Sequence, residues 1–412
     1  MSRVAIAGAG IAGRLIAWQL ARHGHQVDVF DPAPDGSAPM GVAPRHGAAA
    51  FTAAGMLSPL AELENAPPDV AAWGWRSLDL WPGIVEALAP EHNTPSLFRR
   101  NGSILVAHPG DAGAAERALM RMKAAQAKTA RALQGAAASG FGDTEPAATR
   151  PGGLESTRPS NLESRPRDID AALAKSPQRA PQALDAATLQ SLEPALARGL
   201  HGWLLPGEGQ IDVTRLLPAL CADAQGVRWH WRRWVENVEA GKLQFEDGST
   251  LQVDVAIDTR GLGARPTLPL RGVRGELLWL YAPEVVLRRP VRCVHPRHRV
   301  YLVPRHGDLV LVGATEIDTE DRSPISVRSA IELLTAAHSL IPELAEARIV
   351  RLDTHLRPAT PDQRPLLHVE SGLIRLNGLF RHGFLLAPAL VEEALRRSGL
   401  AERPAHEETS HA

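Results

Sequence analysis

Short, wholly apolar runs alternate with segments of helical period at the start of this chain. Val4–Ala7 and Gln26–Phe30 read as strands, and between them Arg14–Arg22 carries apolar residues at helical spacing and stops before Gly24, a residue suited to a C-cap. Helical period returns over Pro68–Leu88, Ala112–Lys128, Asp185–Leu196 and Ile211–Ala222. Leu97–His108 reads as a hairpin turning at Asn101-Gly102, with Ser103–Ala107 as its second strand. His201–Leu205 and Val227–Trp231 read as strands, Trp234–Ala240 and Lys242–Glu246 as a hairpin, and Thr250–Val253 as one more strand. Val255–Asp258 is a further unbroken apolar run, of the kind a strand covered on both faces requires, and it closes on the glycine-rich Thr259–Ala264. Beyond it, Arg271–Tyr281, Arg299–Val303 and Asp308–Gly313 form a β-rich block, followed by an amphipathic helix at Ser326–Leu340. Ile349–Leu356 and Leu373–Leu376 are strands, Ala389–Arg397 is the last helix, and the final dozen residues are polar.

One stretch breaks the pattern. From about Ala124 to Ala183 the chain is built of Ala, Ser, Pro, Gly, Arg and Thr, too poor in large apolar residues to offset its ordering entropy, and it reads as a flexible insertion. The remaining length suggests two lobes, since 412 residues exceed one typical core. A net charge of -1 and an aromatic content of 4% argue against a nucleic-acid partner. The two cysteines, Cys221 and Cys293, stand in no metal-ligand spacing, so no metal is expected and a reducing compartment suits them. The first strand leads straight into a glycine-rich turn with no charged leader, and no apolar run is long enough to span a bilayer, so a cytoplasmic location is expected.

That first turn carries the strongest local chemistry. Gly8-Ala9-Gly10-Ile11-Ala12-Gly13 is a full G-x-G-x-x-G between strand and helix. Gly8 permits the tight turn, Gly10 lets a pyrophosphate approach the backbone, and Gly13 lets helix pack on strand, while the helix N-terminus offers N–H groups to phosphate. Asp31 follows about 20 residues on, where an acid accepts from a ribose 2′-OH. A dinucleotide is therefore expected; this turn alone leaves FAD and NAD both open. Gly47–Pro59 is rich in small residues, which on the residues alone reads as a tightly packed helix start.

Seven stretches together point further: GAGIAG at 8–13, AAGML at 53–57, RGVRGE at 271–276, VYLVPR at 300–305, VGATE at 312–316, LRPATPD at 356–362 and FRHGFLLAP at 380–388. In order and spacing the chain resembles the FAD-dependent D-amino-acid oxidase family, in its branch of glycine oxidases and sarcosine-oxidase-like enzymes. The resemblance implies an α/β fold with a discontinuous, Rossmann-like FAD-binding domain of glutathione-reductase type and an α+β substrate domain with a mostly antiparallel sheet. FAD-binding parts are expected at 1–85, 196–265 and 351–400, substrate-domain parts at 86–195 and 266–350, and a polar tail at 401–412. It implies oxidation of glycine or a similar small amine or amino acid, with dioxygen as acceptor and hydrogen peroxide as product, to supply an imine for the thiazole of thiamine. A homo-oligomer is left open.

Residue by residue, the resemblance implies that Arg357 clamps the substrate carboxylate, as a planar guanidinium does best through two parallel charge-assisted bonds. Tyr301, one of only two tyrosines, falls at the substrate-tyrosine position, and Arg381 at a second basic position by the pocket. FAD contacts are implied for Gly8, Gly10, Ile11, Ala12, Gly13, Asp31, Ala54, Gly55, Met56, Gly261, Arg381, His382, Gly383, Phe384 and Leu385, the last of these beside a helix N-terminus suited to a charged flavin. Glu316 is a weaker candidate for the substrate amine. Leu379 and His382 stand where relatives often carry His and Asn, and Phe51-Thr52 where they commonly have Ser. No cysteine follows Cys293, so FAD is expected to be non-covalent. A D-amino-acid dehydrogenase with a quinone-type acceptor, an NAD-dependent dehydrogenase and a flavin-binding protein without catalysis are the alternatives.

Overall fold

The structure is a computed structural model that describes residues 1–37, 47–92, 97–138, 180–295 and 300–401. Most of the expected insertion and all but the first residue of the expected tail lie outside these. What is described of the insertion's start continues the helix Ala112–Ala138, because Ala, Lys, Arg, Gln and Leu favour a helix whatever they bury.

Six strands form the first sheet, in the order Leu366–Glu370, Leu373–Asn377, Val255–Asp258, Arg3–Ala7, Gln26–Asp31 and Arg228–Trp231. All neighbours run parallel except the first pair. Arg3–Ala7 lies at its centre with Val4, Ala5, Ile6 and Ala7 fully buried, so its unbroken apolar run finds cover on both faces. The helix Ile11–Arg22 packs there through Leu15, Ile16 and Leu20. The second sheet has eight strands: Arg348–Ala359, Arg271–Tyr281, Leu309–Gly313, Val300–Arg305, Val291–Cys293, Ser103–Ala107, His201–Leu205 and Gln182–Leu184. It is antiparallel except where Val291–Cys293 meets Ser103–Ala107. One face is closed by the helix Val327–Leu340 around Leu278, Leu302 and Val312; the other, with Leu277, Trp279 and Tyr301, looks toward the first lobe.

Several expectations are corrected. Residues 97–108 form no hairpin: Phe98–Arg99 pairs with Gly209–Ile211 in a small sheet, while Ser103–Ala107 enters the eight-stranded one, because each finds a longer-range partner. Segments 201–205 and 351–359, expected in the FAD-binding parts, lie in the eight-stranded sheet. The helix expected over Asp185–Leu196 spans only Ala186–Leu192, capped by Asp185 accepting from the Thr188 N–H. The last helix runs from Gly383 to Ser398, starting six residues before the expected Ala389. Pro388 sits inside it, and the Phe384 carbonyl that Pro388 cannot bond accepts from Trp81 Nε1 at 3.1 Å instead. Trp81 belongs to the helix Pro68–Glu86, which crosses the last helix where Gly74 meets Leu385. That crossing aims the N-terminus of the last helix at the space between the lobes.

Candidate active site

Between the C-terminal edge of the first sheet and the face of the second lies a cleft of about 1850 Å³. This is well beyond the ~300–1000 Å³ of a pocket for one small molecule. Every expected cofactor or substrate residue lines it except Gly13. Gly13 packs inward instead: a Cβ there would overlap the Gly8 carbonyl and stand 2.8 Å from Thr259 Oγ1.

The turn is built for a ligand. Gly8 has φ +100° and a Cβ on it would lie 2.6 Å from the Thr259 carbonyl oxygen, so both flanking glycines are required by the protein itself. At Gly10 no atom stands within 4 Å of a Cβ, so its backbone faces the open cleft. The helices starting at Ile11 and Gly383 have neither a side-chain cap nor an acid in the first turn, and both present bare N–H groups to the cleft. An open glycine between two packed ones, and two uncapped helix ends in one cleft, fit a dianionic pyrophosphate and an electron-accepting ring. Asp31 does more than expected. Its Oδ2 accepts from the Ala9 N–H at 2.6 Å and its Oδ1 from the Ala33 N–H at 2.8 Å, so it also fixes the turn. Burial pushes its carboxyl up against those two bonds. Arg14 braces the turn from behind, donating to the Ala9, Gly36 and Leu217 carbonyls beside Phe51 and Trp231.

At the far end of the cleft Arg357 and Tyr301 stand on the eight-stranded sheet, each over a glycine. The Arg357 guanidinium covers Gly275, and the Tyr301 ring covers Gly313, its partner on the next strand. Arg357 Nη1 donates to the Thr315 carbonyl at 3.0 Å, and among the described residues it makes no ion pair. Burial lowers its pKa, with Tyr301 and Glu316 pulling the other way. Burial likewise raises the Tyr301 phenol, opposed by Arg357, Arg292, Arg305 and Arg381, so the hydroxyl keeps its proton.

Arg381 differs from expectation. It lines the cleft, but its guanidinium is taken by Glu62 Oε2 at 2.8 Å and Glu316 Oε2 at 3.2 Å. Glu316 thus serves Arg381 in this structure. Glu62 also stands 3.7 Å from Arg292 Nη2 and 3.7 Å from His382 Nδ1. Burial would raise the Glu62 carboxyl, but His382, Arg381 and Arg292 hold it at about 2. Burial drives the His382 imidazole down to about 4 against the pull of Glu62. Glu62, Arg292 and Arg14 were not singled out from the sequence. Only Arg14 left a trace there, as a charge on the apolar side of a helix.

The profile of the FAD dependent oxidoreductase family matches residues 3–395. The chain belongs to that family. A Rhizobium etli protein assigned by name to thiamine biosynthesis as the oxidoreductase ThiO is 33% identical over 96% of both chains. Glycine oxidase of Geobacillus kaustophilus is 26% identical, over 93% of this chain and 89% of that one. The crystal structure of that glycine oxidase superposes with a TM-score of 0.69, covering 97% of this chain and 96% of that one at 24% identity. Iminodiacetate oxidase from Chelativorans sp. BNC1 gives 0.69 at 22% identity, covering 95% and 94%. This oxidoreductase is therefore an enzyme that uses FAD on amino acids, with the doubly wound lobe and the antiparallel substrate lobe of its family. The Gly8–Gly13 turn and the Gly383 helix end are the groups that fit FAD. Among the described residues no helix is long and apolar enough to cross a membrane.

Proposed function

We propose that this oxidoreductase converts glycine or a similarly small amino acid or amine to its imine, with dioxygen reduced to hydrogen peroxide, and that the imine feeds the thiazole of thiamine. The name carried by the Rhizobium etli relative supports the pathway, and the glycine oxidase relatives support the substrate. The observation that carries the reading is Arg357. It is a guanidinium inside the cleft with no carboxylate partner among the described residues, facing the hydroxyl-bearing Tyr301.

The chemistry of each side chain follows. Two parallel N–H groups of Arg357 take the substrate carboxylate, and the Tyr301 hydroxyl donates to the same group or accepts from the amine. Holding the carboxylate there leaves the amine and the adjacent C–H turned into the cleft. FAD, when bound, supplies the two-electron acceptor. The amine reacts in its neutral form, and no side chain is assigned as a general base. Arg381, neutralised by two acids, serves as a wall that shapes the pocket. The free thiols Cys221 and Cys293, pushed by burial up to about 11 and about 12, are inert and suit a reducing compartment such as the cytoplasm.

The test is turnover of glycine, sarcosine and D-alanine by the yellow protein under air, with peroxide measured. In Arg357→Met, KM should rise by about 10²–10³-fold, the value of a lost charge-assisted pair, while FAD stays bound. An unchanged KM removes Arg357 from this role. Flavin bleaching without peroxide turns the enzyme into a dehydrogenase.

A further inference from the structure

Around Tyr301 the cleft gathers more positive charge than one carboxylate needs. Arg292 lies directly across from Tyr301 on the neighbouring strand, and Arg357 and Arg381 complete the group. Two carboxylates, Glu62 and Glu316, form ion pairs with these guanidinium groups, and the buried Glu208 acts on Arg292 through its charge. Arg305, the fourth arginine near Tyr301, points away, held by Gln210 Oε1 and the Ala54 carbonyl. Of Arg292, Arg357 and Arg381, only Arg357 makes no ion pair among the described residues.

Glu62 is the hub of this arrangement. It is 8% exposed, and it reaches Arg381 on one oxygen and Arg292 on the other. Its hold on Arg292 is loose. At 3.7 Å the pair is an ion pair without a hydrogen bond, and the Arg292 Nε is buried with no partner. Arg292 therefore keeps donors that no described residue uses, and the carboxylate in ion-pair reach of it is Glu62.

We propose that Glu62 sets the charge class of the substrate: by occupying Arg292 and Arg381 it leaves Arg357 as the one guanidinium of the three around Tyr301 without an ion pair, and so selects amines with one carboxylate over those with two. This rests on the reading of Arg357 as the carboxylate clamp. Rejection comes from a fixed negative charge where the second carboxylate would fall, the repulsive half of specificity. Removing that charge without changing shape uncovers Arg292, whose planar fork is suited to a second carboxylate.

The experiment compares acetate and malonate as ligands of the FAD-loaded enzyme, following perturbation of the flavin spectrum above the second pKa of malonate. The native enzyme should bind acetate more tightly than malonate. In Glu62→Gln the ratio of the two dissociation constants should move toward malonate by about tenfold or more, the scale of one buried charge. Adding Arg292→Gln to that variant should return the ratio toward the native value. Glu316→Gln, at a half-exposed position that cannot threaten folding, should shift the ratio in the same direction by less, since Arg381 keeps Glu62. A folded, yellow Glu62→Gln with the native ratio overturns the proposal. So does a shift that Arg292→Gln leaves in place. Should Glu62→Gln fail to fold, an unchanged ratio in Glu316→Gln overturns it. If the native enzyme binds neither ligand, or Arg357→Met leaves acetate binding untouched, it is the clamp itself that fails.

Discussion

Gly275→Ala tests the carboxylate clamp without removing a charge. The Cβ it adds would stand 2.7 Å from Arg357 Nη1, and closer still to Cζ and Nη2. Ordinary contact begins near 3.4 Å, so the guanidinium must retreat by about 1 Å. The atoms displaced are the far end of a flexible side chain, and Gly275 does not have a positive φ, so the fold tolerates the change. The strand even gains about 0.5 kcal/mol from the reduced freedom of the unfolded chain. Function should not tolerate it. A shift of that size in a positioning group costs about 10²-fold in kcat/KM, or about 2.7 kcal/mol. The assay is steady-state peroxide production with glycine, beside thermal melting and FAD titration. Tm and FAD affinity should hold while kcat/KM collapses. A folded, yellow variant with kcat/KM within about threefold of native would refute the placement of the carboxylate at Arg357.

The open and the packed glycine of the phosphate turn, Gly10 and Gly13, should separate by phenotype. Gly10→Ala meets no protein atom and should keep Tm while FAD affinity falls. Gly13→Ala overlaps the Gly8 carbonyl and should lose stability even without cofactor, and equal losses of Tm in the two would contradict the open cradle. Acid sensitivity should carry the mark of His382. Its folded pKa of about 4 lies below the ordinary 6.5, so the unfolded chain binds the extra proton and stability falls as pH drops from 6.5 through about 4. The loss approaches about 3 kcal/mol. His382→Gln should flatten Tm across that window, and parallel curves would rule the coupling out. Glu62, held at about 2 against an ordinary 4.5, adds a second loss at still lower pH.

Local geometry was legible in the chain. GAGIAG shows its purpose because a tight turn, an open approach and a close packing each demand glycine within six residues. The strands of the β-rich block show because their apolar runs have a period the sheet imposes. The charge arrangement was hidden. Glu62 reads as one of two acids after a small-residue stretch, and its partners lie 230 and 319 residues further on, where no pattern connects them. Arg381 reads as an available cation because nothing nearby in sequence neutralises it. The start of the last helix is masked in the sequence because Pro388 ordinarily interrupts a helix, and its accommodation depends on a tryptophan from a distant segment. The strand Leu366–Glu370 is hidden because only Leu366 and Leu367 are buried while His368 and Glu370 are exposed, too short an apolar run to mark a strand.

The central strand of the first sheet has a consequence for biosynthesis. Arg3–Ala7 is made well before one of its two flanking strands, Val255–Asp258, which follows some 250 residues later. At about 5–20 residues per second the nascent chain holds an apolar edge unpaired for roughly tens of seconds. The helix end at Gly383 arrives later still. The two groups that fit FAD, the Gly8–Gly13 turn and the Gly383 helix end, are thus joined only after the roughly 370 residues between them have been made. Until then the emerging protein depends on whatever shields that first strand.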